Sequence, residues 1–309
     1  MRFPRKAFSP WVQASFLTAG TLGLFFFIRF LPGAVAPELP AAFLAAASGS
    51  EHDAEFCDIS ELGFTVVSEG RSPFRMGVSP SVVEKGEEVD VLVSLRVGGG
   101  RPITPEDLDV THTERIHLLI IDSSLEDYHH KHPQPTSVPG EFRFSFTPRR
   151  SGGYRVFADV VPSRTGRPAH AVATLRVNGG DALPQENAEP APESDYTYEL
   201  VNPLGEYRVH QPAQVFLRAR HRHPGMEVRL EPIMGAYAHL VGFDENSSGF
   251  IHMHPIVEKA EKDLDPLHPE LSFLFHVTEP GSYKIWAQLK IDDEERFVPF
   301  EVYVKERER

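Results

Sequence analysis

HLLIIDSSLEDYHHKHP occupies residues 117–133, and HLVGFDENSSGFIHMHP occupies residues 239–255. The two align without a gap at an offset of 122 residues, so that His117 matches His239, His130 matches His252 and His132 matches His254. Asp122 matches Asp244, Tyr128 matches Phe250 and Pro133 matches Pro255, whereas His129 becomes Ile251 and Lys131 becomes Met253. The duplication holds three imidazoles while polar neighbours drift. Clustered histidines are the commonest protein route to a transition-metal site, which directs attention to those six residues.

Each segment reads as a β-hairpin. With the turn centred between Ser124 and Leu125, His117 faces His132 directly and His130 faces Leu119, diagonal to His117. Side chains alternate along a strand, so all three histidines project from one face and residues 129 and 131 from the other. Directly opposed Cβ atoms lie about 5 Å apart and diagonal ones about 7–8 Å. Imidazoles at such spacings can converge on one ion, whose bonds to nitrogen are about 2.0–2.1 Å long. The same register places His239, His252 and His254 on one face in the second copy. Met253 points to the opposite face. Met234 and His112, five residues before His239 and His117, are candidate weak fourth ligands. Asp122 and Asp244 read as turn caps.

Working outward, each copy sits among matching period-2 segments. Glu88–Leu95 and Ala213–Arg218 precede the hairpins; Phe142–Phe146 and Leu271–Phe275 follow them; Gly153–Phe157 matches Ser282–Trp286; and Ala171–Val177 and Val298–Val304 close the halves. Short β-branched and aromatic runs with frequent turns predict an all-β chain of two tandem antiparallel β-sandwiches, Ig-like or cupredoxin-like. The expected boundaries are 73–177 and 198–306, joined by a Pro/Ala/Glu-rich linker over 178–197. Residues 256–266 allow one short helical turn.

The N-terminus reads as a targeting segment. Arg2, Arg5 and Lys6 precede an apolar run from Trp11 to Ile28, with Ala34-Val35-Ala36 as a small-residue cleavage site. The run also has the length to span a bilayer. Residues 1–36 are therefore a signal peptide or a membrane anchor, and 37–72 a stalk. Both readings put the sandwiches outside the cytoplasm, either periplasmic on a single-pass anchor or secreted. Removing the four basic side chains of residues 1–36 takes the formal charge from −13 to −17. So acidic a body argues against nucleic acid as a partner and suits cations. Cys57 is the only cysteine, which excludes an intramolecular disulfide.

Gly235-Ala236-Tyr237-Ala238-His239-Leu240, then His252-Met253-His254-Pro255 and Pro280–Trp286, resemble bacterial exported domains of the YtkA-like kind. His130-Lys131-His132-Pro133 and Gly153–Asp159 are similar in the first half. The resemblance covers residues 75–177 and 198–304. It implies small Ig-like modules in the bacterial envelope that accompany copper handling. The chain departs from blue-copper proteins, since its one cysteine precedes both sandwiches and no Met-rich tract occurs.

Three imidazoles and an open position suit Cu²⁺ or Zn²⁺, and copper is favoured for an extracytoplasmic protein. The expectation is a metal-binding protein with one His-cluster site per repeat, tethered to the membrane and acting in delivery, storage or sensing. An envelope protein is its candidate partner. The alternative is a non-catalytic interaction module whose histidines are structural. An enzyme is not expected, because no HExxH motif, nucleophile elbow or phosphate loop occurs. Because neutral imidazoles bind metal, affinity is expected to fall below about pH 6.

Overall fold

The computed structural model describes residues 63–68, 72–180, 194–256 and 264–307. The targeting segment, most of the stalk and linker, Cys57 and most of the expected helical turn lie outside them. No helix among the described residues is long and apolar enough to cross a membrane.

Nineteen strands lie among the described residues, in the order β1 (Thr65–Val66), β2 (Phe74–Ser79), β3 (Val82–Glu84), β4 (Val89–Val97), β5 (Ile116–Asp122), β6 (Tyr128–Lys131), β7 (Gln134–Pro135), β8 (Glu141–Phe146), β9 (Gly152–Val160) and β10 (Ala169–Asn178), then β11 (Tyr196–Val201), β12 (Tyr207–Arg208), β13 (Ala213–His221), β14 (Leu230–Glu231), β15 (Ala238–Asp244), β16 (Gly249–Met253), β17 (Glu270–Phe275), β18 (Gly281–Ile291) and β19 (Glu294–Lys305). The first sandwich packs β3-β10-β9-β5-β6 on β2-β4-β8-β7. The second repeats that plan, with β12-β19-β18-β15-β16 facing β11-β13-β17. The expectation of wholly antiparallel sheets needs correcting at two places. β3 runs parallel to β10, and β12 runs parallel to β19. Each pair joins an early strand to the last strand of its sandwich, a connection long enough to permit parallel pairing where a tight hairpin would not.

The expected hairpin register is the one found. Leu119 opposes His130 and Ile121 opposes Tyr128 in the first copy; Leu240 opposes Met253 and Val241 opposes His252 in the second. Along β5 the faces divide cleanly. Leu118 and Ile120 enter the first sandwich's own core, while Leu119 and Ile121 point outward and are buried too. All seven residues of β5 are buried, as expected of a strand covered on both faces.

The second sandwich is what covers that outer face. A third apolar cluster joins Leu119, Ile121, Tyr128 and Phe157 to Val241, Phe243, Phe250 and Trp286. These are the same positions of the two repeats, so the sandwiches meet by equivalent faces. Contacts are exchanged about a pseudo-twofold axis: Phe157 packs on Phe250 with ring centroids 5.4 Å apart, and Trp286 stacks on Tyr128 at 5.9 Å. Such reciprocity characterises an isologous interface, here built within one chain.

β1, from the segment ahead of the first sandwich, pairs with the free edge of β16 in the second. Gly249 makes that approach feasible, since a Cβ there would lie 1.9 Å from the Thr65 carbonyl oxygen. Gly249→Ala is expected to displace β1 at an overpacking cost of about 1–3 kcal/mol. Amide hydrogen exchange would read it, because the Val67 N–H, now bonded to the Ser248 carbonyl at 3.0 Å, should lose protection. Unchanged exchange there would show that β1 does not depend on this close approach.

Candidate metal centre

β5 and β6 place His117, His130 and the adjoining His132 on the outer face of the first sandwich, and β15 and β16 do the same for His239, His252 and the adjoining His254. In each set one nitrogen per ring lies within 4.8 Å of the others. His117, His130 and His239 are buried; the other three are partly so.

Second partners determine which nitrogen of each ring faces inward. His117 Nε2 lies 3.0 Å from the Thr111 carbonyl oxygen, and His239 Nε2 lies 3.0 Å from that of Ile233. A carbonyl only accepts, so both Nε2 atoms carry the proton and both Nδ1 atoms hold lone pairs. His252 Nδ1 donates to Asp159 Oδ2 at 3.1 Å, which leaves Nε2 free. His130 Nδ1 lies 2.7 Å from Gln288 Oε1. The Gln288 amide is oriented by Glu295, whose carboxylate must accept from Nε2. His130 Nδ1 is therefore also a donor, and its Nε2 is a lone pair.

The inward atoms are thus the same in both copies: Nδ1 of His117 or His239, Nε2 of His130 or His252, and Nε2 of His132 or His254. In the second set all three are buried without a hydrogen-bond partner. In the first set His130 Nε2 and His132 Nε2 each sit 3.2 Å from His117 Nδ1. His132 can supply a proton to one such contact, but His117 and His130 meet lone pair to lone pair. A positive centre between the rings would relieve that contact. A proton is disfavoured, because burial foremost, with repulsion from His252, pushes His117 down to about 3, His132 to about 4 and His130 well below the usual imidazole value. His239 is pushed to about 3 and His254 well down by the same causes. Buried orphan nitrogens with outward N–H groups anchored by carbonyl, amide and carboxylate oxygens are the arrangement of metal-ligating histidines.

The anchors cross the interface. His130 of the first sandwich bonds Gln288 of the second, and His252 of the second bonds Asp159 of the first. Gln288 and Asp159 occupy equivalent places, paired in the sheets with His239 and His117. Asp159 also holds His170 Nε2 at 3.2 Å. Burial alone would raise this carboxyl, but His170 and His252 together hold it well below the carboxylate range. His112 reaches from the first sandwich to stack on His254 with centroids 3.5 Å apart.

Apart from His112, the other candidates fall elsewhere. Met253 lies in the second sandwich's core. Asp122 caps its turn, accepting from the backbone of Ser124, Glu126 and Asp127, and Asp244 does likewise for Ser248. Glu126 pairs with Lys284 at 2.8 Å. His112 and Met234 share positive φ, 49° and 53°, at equivalent positions. Sequence reasoning missed Asp159, Gln288 and the carbonyls of Thr111 and Ile233. The first two differ in type between the repeats and follow a different offset, so the alignment of hairpins gave no signal for them.

A cleft of about 110 Å³ opens onto the site, lined by His112, His117, Asp159, His170, His252 and His254 among others. It is below the size of drug-like ligand pockets, so it admits small molecules only.

A family model described as a domain of unknown function, DUF8832, matches residues 74–179 and again residues 189–306, one copy per sandwich. No curated protein matches the chain. Among solved structures it is similar to the Escherichia coli adhesin FdeC, at 13% identity and a TM-score of 0.25, covering 79% of this chain and 66% of that one. It is also similar to the fibronectin(III)-like modules of Clostridium thermocellum CbhA, at 13% identity and a TM-score of 0.21, covering 75% and 94%. An ICAM-5 D1–D4 ectodomain fragment gives 15% identity and a TM-score of 0.23, covering 76% and 54%.

Proposed function

The chain belongs to the DUF8832 family, and we propose that it is an envelope metal-binding protein that holds transition-metal ions through His117, His130 and His132 and through His239, His252 and His254. The observation that carries the proposal is the set of inward nitrogens, the same three atoms in both repeats, with their rings' opposite nitrogens anchored as donors where a partner is present. Histidines retained for structure alone usually find acceptors or donors on both sides. With three neutral nitrogens and no sulfur ligand, the site suits Cu²⁺ or Zn²⁺, and the ordinary affinity order for nitrogen sites favours copper. Binding would serve delivery, storage or sensing, with the N-terminal segment as tether or leader.

Equilibrium titration of the stripped full-length chain with Cu²⁺ and Zn²⁺ separately tests this. Wild type is expected to take two ions tightly. His132→Ala and His254→Ala, each folded by circular dichroism, should take one. Failure of folded wild type to bind either ion at micromolar concentration would overturn the proposal and return the histidines to a structural role.

A further inference from the structure

We infer that the two histidine sets form one dinuclear metal centre spanning the sandwich interface, rather than two separate sites, and this rests on the reading that the sets bind metal. The spacing of the rings carries the inference. Across the interface, the centroids of His130 and His252 lie 5.4 Å apart, His117 and His252 5.6 Å, and His130 and His239 6.0 Å. Within a set, His117 and His130 lie 5.4 Å apart and His239 and His252 5.8 Å. His132 and His254 lie closer to their own set-mates, at 4.5–4.9 Å, but His117, His130, His239 and His252 are as near to rings of the other set as to one another. An ion bonded to a ring nitrogen at about 2.0–2.1 Å sits roughly 3 Å from that ring's centroid. Ions held by His130 and His252 are therefore at most about 12 Å apart even on opposite sides of their rings, and closer when both lie between the rings.

Pseudo-symmetry accounts for the arrangement. The loops before β5 and β15 meet near the axis, where a Cβ on Gly235 would contact the Thr113 methyl at 3.6 Å, and these two positions are themselves equivalent at the repeat offset. A site on one partner's face next to such an axis is necessarily brought beside its twin. The crossed anchors, His130 to Gln288 and His252 to Asp159, mean that neither set has its full complement of supporting bonds without the other sandwich. The cleft enters beside His117 from one set and His252 and His254 from the other, so a small exogenous ligand would reach both ions at once.

Electron paramagnetic resonance of the copper-loaded full-length chain separates the cases. The protein loaded with two Cu²⁺ is expected to show a broadened or diminished signal, with a half-field transition, from interaction between the two spins. The same wild-type protein loaded with equal Cu²⁺ and Zn²⁺ should contain a population of isolated copper with a sharp, full-intensity signal per spin, which needs no variant to fold. His132→Ala and His254→Ala loaded with one Cu²⁺ should give the isolated spectrum too. If two coppers bind and their signal is simply twice that of an isolated ion, the dinuclear centre is overturned while metal binding stands. If no copper binds, both readings fall.

Discussion

Replacing Trp286 by alanine is expected to destabilise the protein by about 3–5 kcal/mol, the usual cost of emptying a buried aromatic position. Trp286 belongs to neither sandwich's internal core. It projects from β18 into the apolar cluster between the sandwiches, stacks on Tyr128 and donates its indole N–H to the Leu125 carbonyl at 3.2 Å. Truncation removes the stacking partner of a fully buried tyrosine and strands a carbonyl acceptor. The effect should extend to metal, because the bonds from His130 to Gln288 and from His252 to Asp159 exist only while the two faces are docked. Losing such outer partners typically costs 10–100-fold in metal affinity, and both ions should weaken together. Denaturant unfolding followed by copper titration measures the two effects on one sample. A loss below about 1 kcal/mol with unchanged affinity would mean that the interface is incidental to the site.

Much of this was legible in the repeat. Alternating strands gave the sandwiches, and the hairpin register put three histidines on one face of each. What the repeat does not encode is how its two copies dock. A duplication states that two surfaces are alike, not that they are pressed together. The residue types at the interface carried one hint. His117–Asp122 is apolar at every position from Leu118 to Ile121, so the outer face of β5 needed covering as well as the inner one. The histidines share that outer face with Leu119 and Ile121, which is why covering the apolar residues also brings the imidazoles together. Asp159 and Gln288 were invisible for a different reason. Each serves a histidine of the other repeat, and that role has no meaning until the faces are joined.

The apo protein is expected to lose stability steadily as pH falls from about 6.5 toward 4, and bound metal should oppose that loss. Four histidines at the site set the sign. Burial first, with repulsion from His252 next or, for His239 and His117, also from other nearby rings, lowers His112 and His132 to about 4 and His117 and His239 to about 3. In the unfolded chain the same groups titrate near the ordinary value of about 6.5. Between those values the unfolded state binds more protons than the folded one, so stability rises with pH through this window and is lost on acidification. Each histidine contributes a slope of at most about 1.4 kcal/mol per pH unit. The same lowering alters the expectation for metal. Protons compete with the ion only once the folded imidazoles titrate, so affinity for the folded protein should persist well below pH 6 and fail nearer pH 4. Melting temperatures measured from pH 7 to pH 4, with and without excess copper, would show both trends. Between pH 6 and pH 5 the apo curve should drop and the copper-loaded curve should lie above it, since an ion that binds only the folded state stabilises by mass action. A flat apo profile over that window would mean that the imidazoles are not held neutral by their burial, and would remove the reason for placing a metal, rather than protons, among them.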